Sequence, residues 1–501
     1  MAPATKLIRT VLVCVAASAF LLWVGRALLC NEDLALPRVA PSPQAQITGT
    51  PDSDASCSIY VLDPVQDLGL PRCNFADPAV WPFAAPNNKL QASGPLQHWE
   101  QQHAVNYWVA QAIAMSGYQT NDRHGADMIF LNTHCFEAWR LGWLWNTLPE
   151  RRTRSIIPIP DLQLQPVLQH LHTWPQWRAD NGAHIVVTPF YPGTPNSTVN
   201  LLRPCNSSVY SLVSTHKSFC KKGLQHHNDQ GLILPFVTSI PNEGPEVLKT
   251  KRDIFVFYRG GCSHPSLAEK FVWGKIQRRA VVQALTALNK PDLDLSCACD
   301  ICPGALDHDE TLRRMLRSTF CPVLAGDAQT SRRQVEVILS GCVPVYVGPG
   351  WHTLPLADAI DHAAFSVFVH VKGTVPWIVT DPAKRTALNG PTLEREWYMD
   401  AELGPGQVLE VESVAGIEAA LRALPPEVLA AKQAALREAY GQFSYRPAPG
   451  EIQSGAGRII VENICRRARA VKRRRQLDNA AALAAEAAKV EAAAKAEPAK
   501  P

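Results

Sequence analysis

The groups best placed to do chemistry lie together at Ser331-Arg332-Arg333-Gln334-Val335-Glu336. Two adjacent guanidinium groups offer paired N–H donors that match the oxygens of a diphosphate. Glu336 follows one helical turn later, so on a helix its carboxylate reaches past bound phosphates toward the hydroxyls of a ribose. Thr330 or Ser331 is a natural N-cap, and the free amides of a first helical turn face whatever fills the preceding loop. Cations in that turn oppose the helix dipole unless an anion compensates them. The plainer alternative is a surface helix whose Arg–Glu pairs at i,i+3 and i,i+4 contribute only a few tenths of a kcal/mol.

The flanking pattern says what must hold these side chains. Phe320 to Leu324 reads as a strand, Ala325 to Thr330 as a loop containing Gly326, and Ser331 to about Leu339 as a helix. A turn at Ser340-Gly341-Cys342 then leads into a wholly apolar strand, Val343 to Val347. This is one βαβ unit, and continuous apolar strands predict a parallel sheet buried on both faces. Ligands of such sheets sit beyond the carboxyl ends of the strands, where loops feed the helices. A further strand ends in Arg259-Gly260-Gly261, which puts a guanidinium and permissive backbone at the same level. The helix Lys275 to Leu288 carries Arg278 and Arg279.

Taken with their spacing, Ser318, Phe320, Cys321, Gly326, Ser331, Arg333, Glu336, Gly341, Cys342, Pro344, Val345, Leu354, Pro355, Asp358, Phe365 and Ser366 resemble, in order, the donor-binding signature of the exostosin-like glycosyltransferases, family 47. Leu324-Ala325 departs from the Pro plus basic residue often found there. Upstream, Cys57-Ser-Ile-Tyr-Val-Leu-Asp resembles the opening strand of that domain. Asn121-Asp122 through Ala126-Asp-Met-Ile-Phe, Trp174 to Pro189 and Asn228 to Phe236 resemble later passages. His184 falls where the family has a His, although Ala183 replaces the usual Asp.

The resemblance implies an α/β fold of GT-B type: two Rossmann-like domains facing each other across a cleft. It implies an inverting glycosyltransferase that moves a sugar from a nucleotide sugar, most simply a UDP-sugar, to a glycan, cell-wall polysaccharide or glycoprotein acceptor in the Golgi. It also implies no cofactor, no metal, and the option of homo- or hetero-oligomers with related transferases. The expected nucleotide-sugar residues are Arg259, Gly260, Arg278, Arg279, Gly326, Ser331, Arg332, Arg333, Glu336 and Gly341. One of Arg278 and Arg279 matches a family arginine. His184 is the candidate catalytic group, with a role at the entry of the strand Ile185 to Thr188 as the structural alternative. A non-catalytic luminal glycan-binding or scaffold protein on the same fold is the alternative function.

Composition is compatible with this. A length of 501 residues allows roughly two to three domains, and a net charge of +4 gives no support to a nucleic-acid groove. Lys6 and Arg9 precede an apolar run from Thr10 to Gly25, with Arg26 able to snorkel and Leu28 and Leu29 beyond it. A bilayer needs about 20 residues, and basic residues before the run predict a cytosolic tip, a signal anchor and a luminal bulk. The division expected is therefore 1–30 anchor, 31–55 stem, 56–245 acceptor-side domain, 246–465 nucleotide-sugar domain, and 466–501 a basic then Ala/Lys/Glu-rich tail. The expected location is a single-pass type II Golgi membrane protein.

An oxidising lumen favours disulfides among the 14 cysteines, and Cys57–Cys73 is the expected pair. Asn196 and Asn206 stand in N-glycosylation sequons. Asp292-Leu-Asp294 and Asp307-His-Asp309 have the D-x-D shape that holds divalent ions in other transferases, and read here as surface turns. A closing helix is expected at Glu427 to Tyr440.

Overall fold

The computed structural model describes residues 57–63, 67, 105–132, 170–175, 177, 182–187, 210–213, 231–238, 240, 248–261, 273–297, 306–324, 331–348, 354–372 and 408–496. The apolar N-terminal run, the stem, Cys73, Asn196, Asn206 and Gly326 lie outside these residues. Among the described helices none is long and apolar enough to cross a membrane.

Among the described residues, two parallel sheets organise the chain. The first has five strands in sequence order: β1 (Ile59–Leu62), β2 (Met128–Leu131), β3 (Ile185–Val187), β4 (Tyr210–Val213) and β5 (Gly231–Ile233). α1 (Val105–Met115) crosses from β1 to β2 and buries Val105, Val109, Ala112 and Ile113, the i, i+4, i+7, i+8 face that its sequence spacing predicts. The entry to β1 and β2 is pinned by Asp127, whose Oδ2 accepts from Ser58 N at 2.9 Å and Ser58 Oγ at 3.1 Å.

The second sheet has six strands in the order β11-β10-β9-β8-β6-β7: β6 (Ile254–Gly260), β7 (Leu293–Cys297), β8 (Ser318–Val323), β9 (Val343–Val347), β10 (Val367–Val371) and β11 (Val408–Val411). Every residue of β9 is buried, as its unbroken apolar run demands. Helices α2 (Trp273–Thr286), α3 (His308–Leu316), α4 (Arg333–Leu339) and α5 (His362–Phe365) connect these strands. Starting from β6, the chain steps outward to β7, then crosses back to β8 on the other side. That reversal between β6 and β8 is the topological switch point of the sheet. The two strands pair only at Ile254↔Ser318 and Val256↔Phe320 and then part. Pro322, which has no N–H to give, sits just past the parting point, so a proline is tolerated in an interior strand.

The two halves meet at the carboxyl edges of their sheets. Leu356 N, in the turn that follows β9, donates to Ile233 O at the end of β5 at 2.8 Å. Leu356 is wholly buried and holds φ +58°, a left-handed conformation that costs a non-glycine residue about 1–2 kcal/mol and is carried by this contact and its burial. Tyr445 Oη donates to Pro235 O at 3.0 Å close by.

After β11 come α6 (Ile417–Arg422), α7 (Pro426–Ala439) and α8 (Gly455–Ala496). The expected closing helix is present as α7, but it packs on α5 and β9, within the second half. The return to the first half is made by α8, which packs on α1 and β2. Gly457 permits that approach, since a Cβ there would lie 2.8 Å from the Ala112 Cβ. The division expected at 465/466 is also corrected. One 42-residue helix runs through it, because the buried face Ile460, Ile464, Ala468 and Val471 continues the same stripe.

Disulfides correct a second expectation. Cys57 pairs with Cys465, not Cys73, with Cα atoms 5.6 Å apart, so β1 is stapled to the returning helix. Cys321 and Cys342, which belong to the motif read from the sequence, are also paired, at a Cα separation of 5.8 Å. That bridge closes a loop containing α4 and the residues before it.

Candidate functional site

Four arginines gather at the switch point. β6 delivers Arg259 near its carboxyl end, and Arg259 Nη1 donates to Asp307 O at 2.6 Å and to Thr311 Oγ1. α4 delivers Arg333, whose Nη2 donates to Arg259 O at 3.1 Å. α2 delivers Arg278, which donates from Nη1 to Gly261 O at 3.1 Å and from Nη2 to Leu324 O at 3.5 Å. Arg278 thus bridges the ends of β6 and β8. Arg332 completes the group from the residue before α4.

Glu336 is the counter-charge. It is 2% exposed, and its Oε1 lies 2.7 Å from Arg332 Nε and its Oε2 3.0 Å from Arg333 Nη1. The first contact is an i,i+4 ion pair and the second an i,i+3 one. The Glu336 carboxylate is therefore held between the two guanidinium groups. Four guanidinium groups against this carboxylate and that of Asp307, which also acts on Arg259, leave an excess of positive charge among the described residues. Burial, then the neighbouring Arg333, push the Arg259 guanidinium below its ordinary range. Burial pushes the Tyr258 phenol up, while Arg278 and Arg333 pull it the other way, so its ring lies among these cations. Gly260 is a glycine because a Cβ there would strike the Tyr258 hydroxyl.

The helix start differs in detail from expectation. α4 begins at Arg333, and Arg332 occupies the N-cap without a side-chain cap bond. Ser331 Oγ nonetheless accepts from Arg333 N at 3.3 Å, so one early amide is already satisfied by the expected serine. Among the described residues, Arg332 and Arg333 stand at the start of α4 beside the ends of β6 and β8.

Two expected site residues have other surroundings. Gly341 lies at the far end of α4, where the chain enters β9. Its φ of +67° and the crowding of Leu248 and of Arg252 Nη2, 2.6 Å from a would-be Cβ, explain the glycine without a ligand. His184 is buried at the amino end of β3, and its carbonyl accepts from Ile129 N at 2.8 Å. It is a strand-entry residue, a strand's length of roughly 10 Å from the carboxyl edge. That edge instead carries Asp63 at the end of β1, whose N donates to Asp67 Oδ2 at 2.7 Å.

Three of the four D-x-D aspartates are engaged structurally. Asp292 accepts from Arg422 Nη2 at 2.9 and 2.8 Å, and Asp294 from Arg314 Nη1 at 3.0 and 2.8 Å. Asp307 Oδ1 caps α3 by accepting from Glu310 N at 2.7 Å. Residues that sequence reasoning missed are Tyr258, Thr311 and Gln277, the last donating to Val347 O at 2.5 Å to dock α2 on β9. Only Tyr258 left a trace in the sequence, as an aromatic immediately before the Arg-Gly-Gly turn.

Parts of the chain are similar in sequence to curated proteins. A "Probable glycosyltransferase" of Arabidopsis thaliana is 40% identical over 70 residues, 14% of each chain. A "Probable glucuronosyltransferase" of Oryza sativa subsp. japonica is 26% identical over 216 residues, 39% of this chain and 46% of that one. A "Probable xyloglucan galactosyltransferase" of Arabidopsis thaliana is 27% identical over 143 residues, covering 27% and 25%. The matched segments thus span less than half the length of these relatives. A solved glycotransferase of kitacinnamycin is similar over 82% of this chain and 92% of its own, but at 12% identity and a TM-score of 0.24 it carries no argument. The family model of the Exostosin GT47 domain matches residues 53–379, which take in β1 through β10 and every arginine of the site. The chain belongs to the Exostosin GT47 family.

Proposed function

We propose that this protein is a glycosyltransferase of GT-B type that moves a sugar from a nucleotide sugar, most simply a UDP-sugar, to a glycan hydroxyl. The observation that carries this reading is the convergence of Arg259, Arg278, Arg332 and Arg333 on the switch point of the second sheet, where α/β sheets bind ligands. Family membership and the glycosyltransferase names of the relatives support it.

In this mechanism the second half holds the donor. Arg333 and Arg332 contact the diphosphate and stabilise the charge that develops as it leaves. Arg259 and Arg278 set the local potential and keep the strand ends apart. Glu336 pre-orients both guanidinium groups and, once a diphosphate takes them over, is released to accept from a ribose hydroxyl. The acceptor hydroxyl comes from the first half, and inversion requires a base to take its proton as the new C–O bond forms and the diphosphate departs. Asp63 is the carboxylate that we assign to this task, because it stands at the end of β1, at the carboxyl edge of the first sheet, the edge whose β5 end contacts the second half.

The protein works in the Golgi lumen behind the apolar run Thr10 to Gly25. The basic residues before that run suit a luminal orientation, and the disulfides among the described residues, Cys57–Cys465 and Cys321–Cys342, suit an oxidising compartment. A screen of nucleotide sugars against oligosaccharide acceptors, read as released nucleoside diphosphate, tests the assignment. Turnover with one donor that disappears in Arg333→Ala is expected. No release from any donor, with the fold intact, would leave the non-catalytic glycan-binding alternative.

A further inference from the structure

A second cationic cavity lies at the opposite end of the second sheet. It measures about 240 Å³ and is lined by Leu248, Thr250, Arg252, Gly341, Gln433 and Arg437, with Leu436 at its back. Arg252 precedes β6 and Gly341 precedes β9, so this cavity opens at the amino edge of strands whose carboxyl ends form the site above.

The Arg252 guanidinium donates from Nη1 to Ser318 O and from Nη2 to Ser340 O at 3.3 Å, which fixes it against β8 and the end of α4. Both partners are neutral carbonyls. Arg437, on α7, stands across the cavity with its guanidinium exposed at the rim. No carboxylate among the described residues is ion-paired with either arginine. Two like charges facing each other over a concave space raise the free energy of the empty state, and a bound anion lowers it. Burial, and then the repulsion of Arg437, push the Arg252 guanidinium down to about 10, the direction that an unpaired cation near another cation must take.

We propose that the Arg252–Arg437 cavity is a binding site for a small oxyanion of the phosphate class, separate from the donor site. Arg252 supplies a preset guanidinium plane, Arg437 closes from the rim, and Gln433 offers a side-chain amide. The volume is below the roughly 300–1,000 Å³ usual for drug-sized ligands, so it takes an inorganic phosphate or the phosphate end of a compact phosphomonoester, not a nucleotide. Because Arg252 ties together the starts of β8 and β9 and the end of α4, occupancy stiffens the strand entries beneath the donor helix.

The test is thermal unfolding of the full purified chain with sodium phosphate, or glucose 1-phosphate, against sodium chloride at equal ionic strength. It is run on the wild type, Arg437→Gln and Arg333→Ala. Arg437→Gln leaves the carbonyl bonds of Arg252 intact, so it folds. Phosphate is expected to raise the midpoint in a saturable way, with at least tenfold weaker apparent affinity in Arg437→Gln and unchanged affinity in Arg333→Ala. A glucose 1-phosphate response equal to that of phosphate identifies a phosphate-end site open to esters, and a response to phosphate alone identifies the free ion. A stabilisation equal in wild type and Arg437→Gln would overturn the proposal as a general salt effect. A stabilisation lost only in Arg333→Ala would overturn it by placing the ion in the donor site.

Discussion

Replacing Glu336 by Gln separates a built site from an ordinary surface helix. The Glu336 side chain is 3% exposed, and the side chains of Arg332 and Arg333 are 21% and 19% exposed. Glutamine keeps the volume but removes the charge, leaving two mostly buried cations beside Arg259 and Arg278. Breaking a fully buried pair costs about 3–5 kcal/mol, and the residual exposure of the arginines lowers this to roughly 2–3 kcal/mol. That is a factor of roughly 30–150 in the folded-to-unfolded ratio. The assay is urea unfolding of wild type and variant, comparing midpoints at equal slope. UDP at saturating concentration should recover more stability in the variant than in the wild type, since the diphosphate replaces the missing anion. A loss below about 0.5 kcal/mol, the value of an exposed i,i+4 pair, would refute the reasoning.

Gly341→Ala, at φ +67° and against Leu248 and Arg252, should cost roughly 2–3 kcal/mol in the same unfolding assay while leaving the UDP dissociation constant unchanged. The double variant Cys57→Ser, Cys465→Ser, which opens a sequence separation of 408, should lose roughly 3–5 kcal/mol, and reductant should lower the wild-type midpoint toward it. His362 is buried with Nε2 donating to Pro355 O at 2.8 Å, and burial lowers its pKa to about 4. The unfolded state therefore binds the extra proton between about pH 6.5 and 4, so stability is full above that window and falls by on the order of 3 kcal/mol across it. His362→Gln should flatten that acid limb in a pH series of melting midpoints. Asp63→Asn should abolish turnover and leave UDP affinity within about twofold, if Asp63 is the base.

The second sheet was readable where local signals were strong. The unbroken apolar run Val343–Val347 appears as β9 with those limits, and the Arg–Glu spacing does bring Arg332, Arg333 and Glu336 together. What was not readable depends on long-range partners. Cys57 finds Cys465 because α8 returns across the first half, and nothing near either cysteine announces that. His184 aligns with a family histidine, yet only the register of β2 and β3 shows it at the strand entry. The basic run from Arg466 reads as a tail because Ala468 and Val471, its buried stripe, are small or isolated in the sequence. Gly341 looked like a ligand-contacting glycine, and only its backbone angle and neighbours reveal a packing role.

The most direct test of the central claim is calorimetric titration of UDP into the purified chain and into Arg333→Ala. A charge-assisted guanidinium contact is worth about 1.5–3 kcal/mol, so the account predicts measurable UDP binding that weakens roughly 10- to 150-fold in the variant. Absence of UDP binding to the wild type, or equal affinity in both proteins, would contradict it.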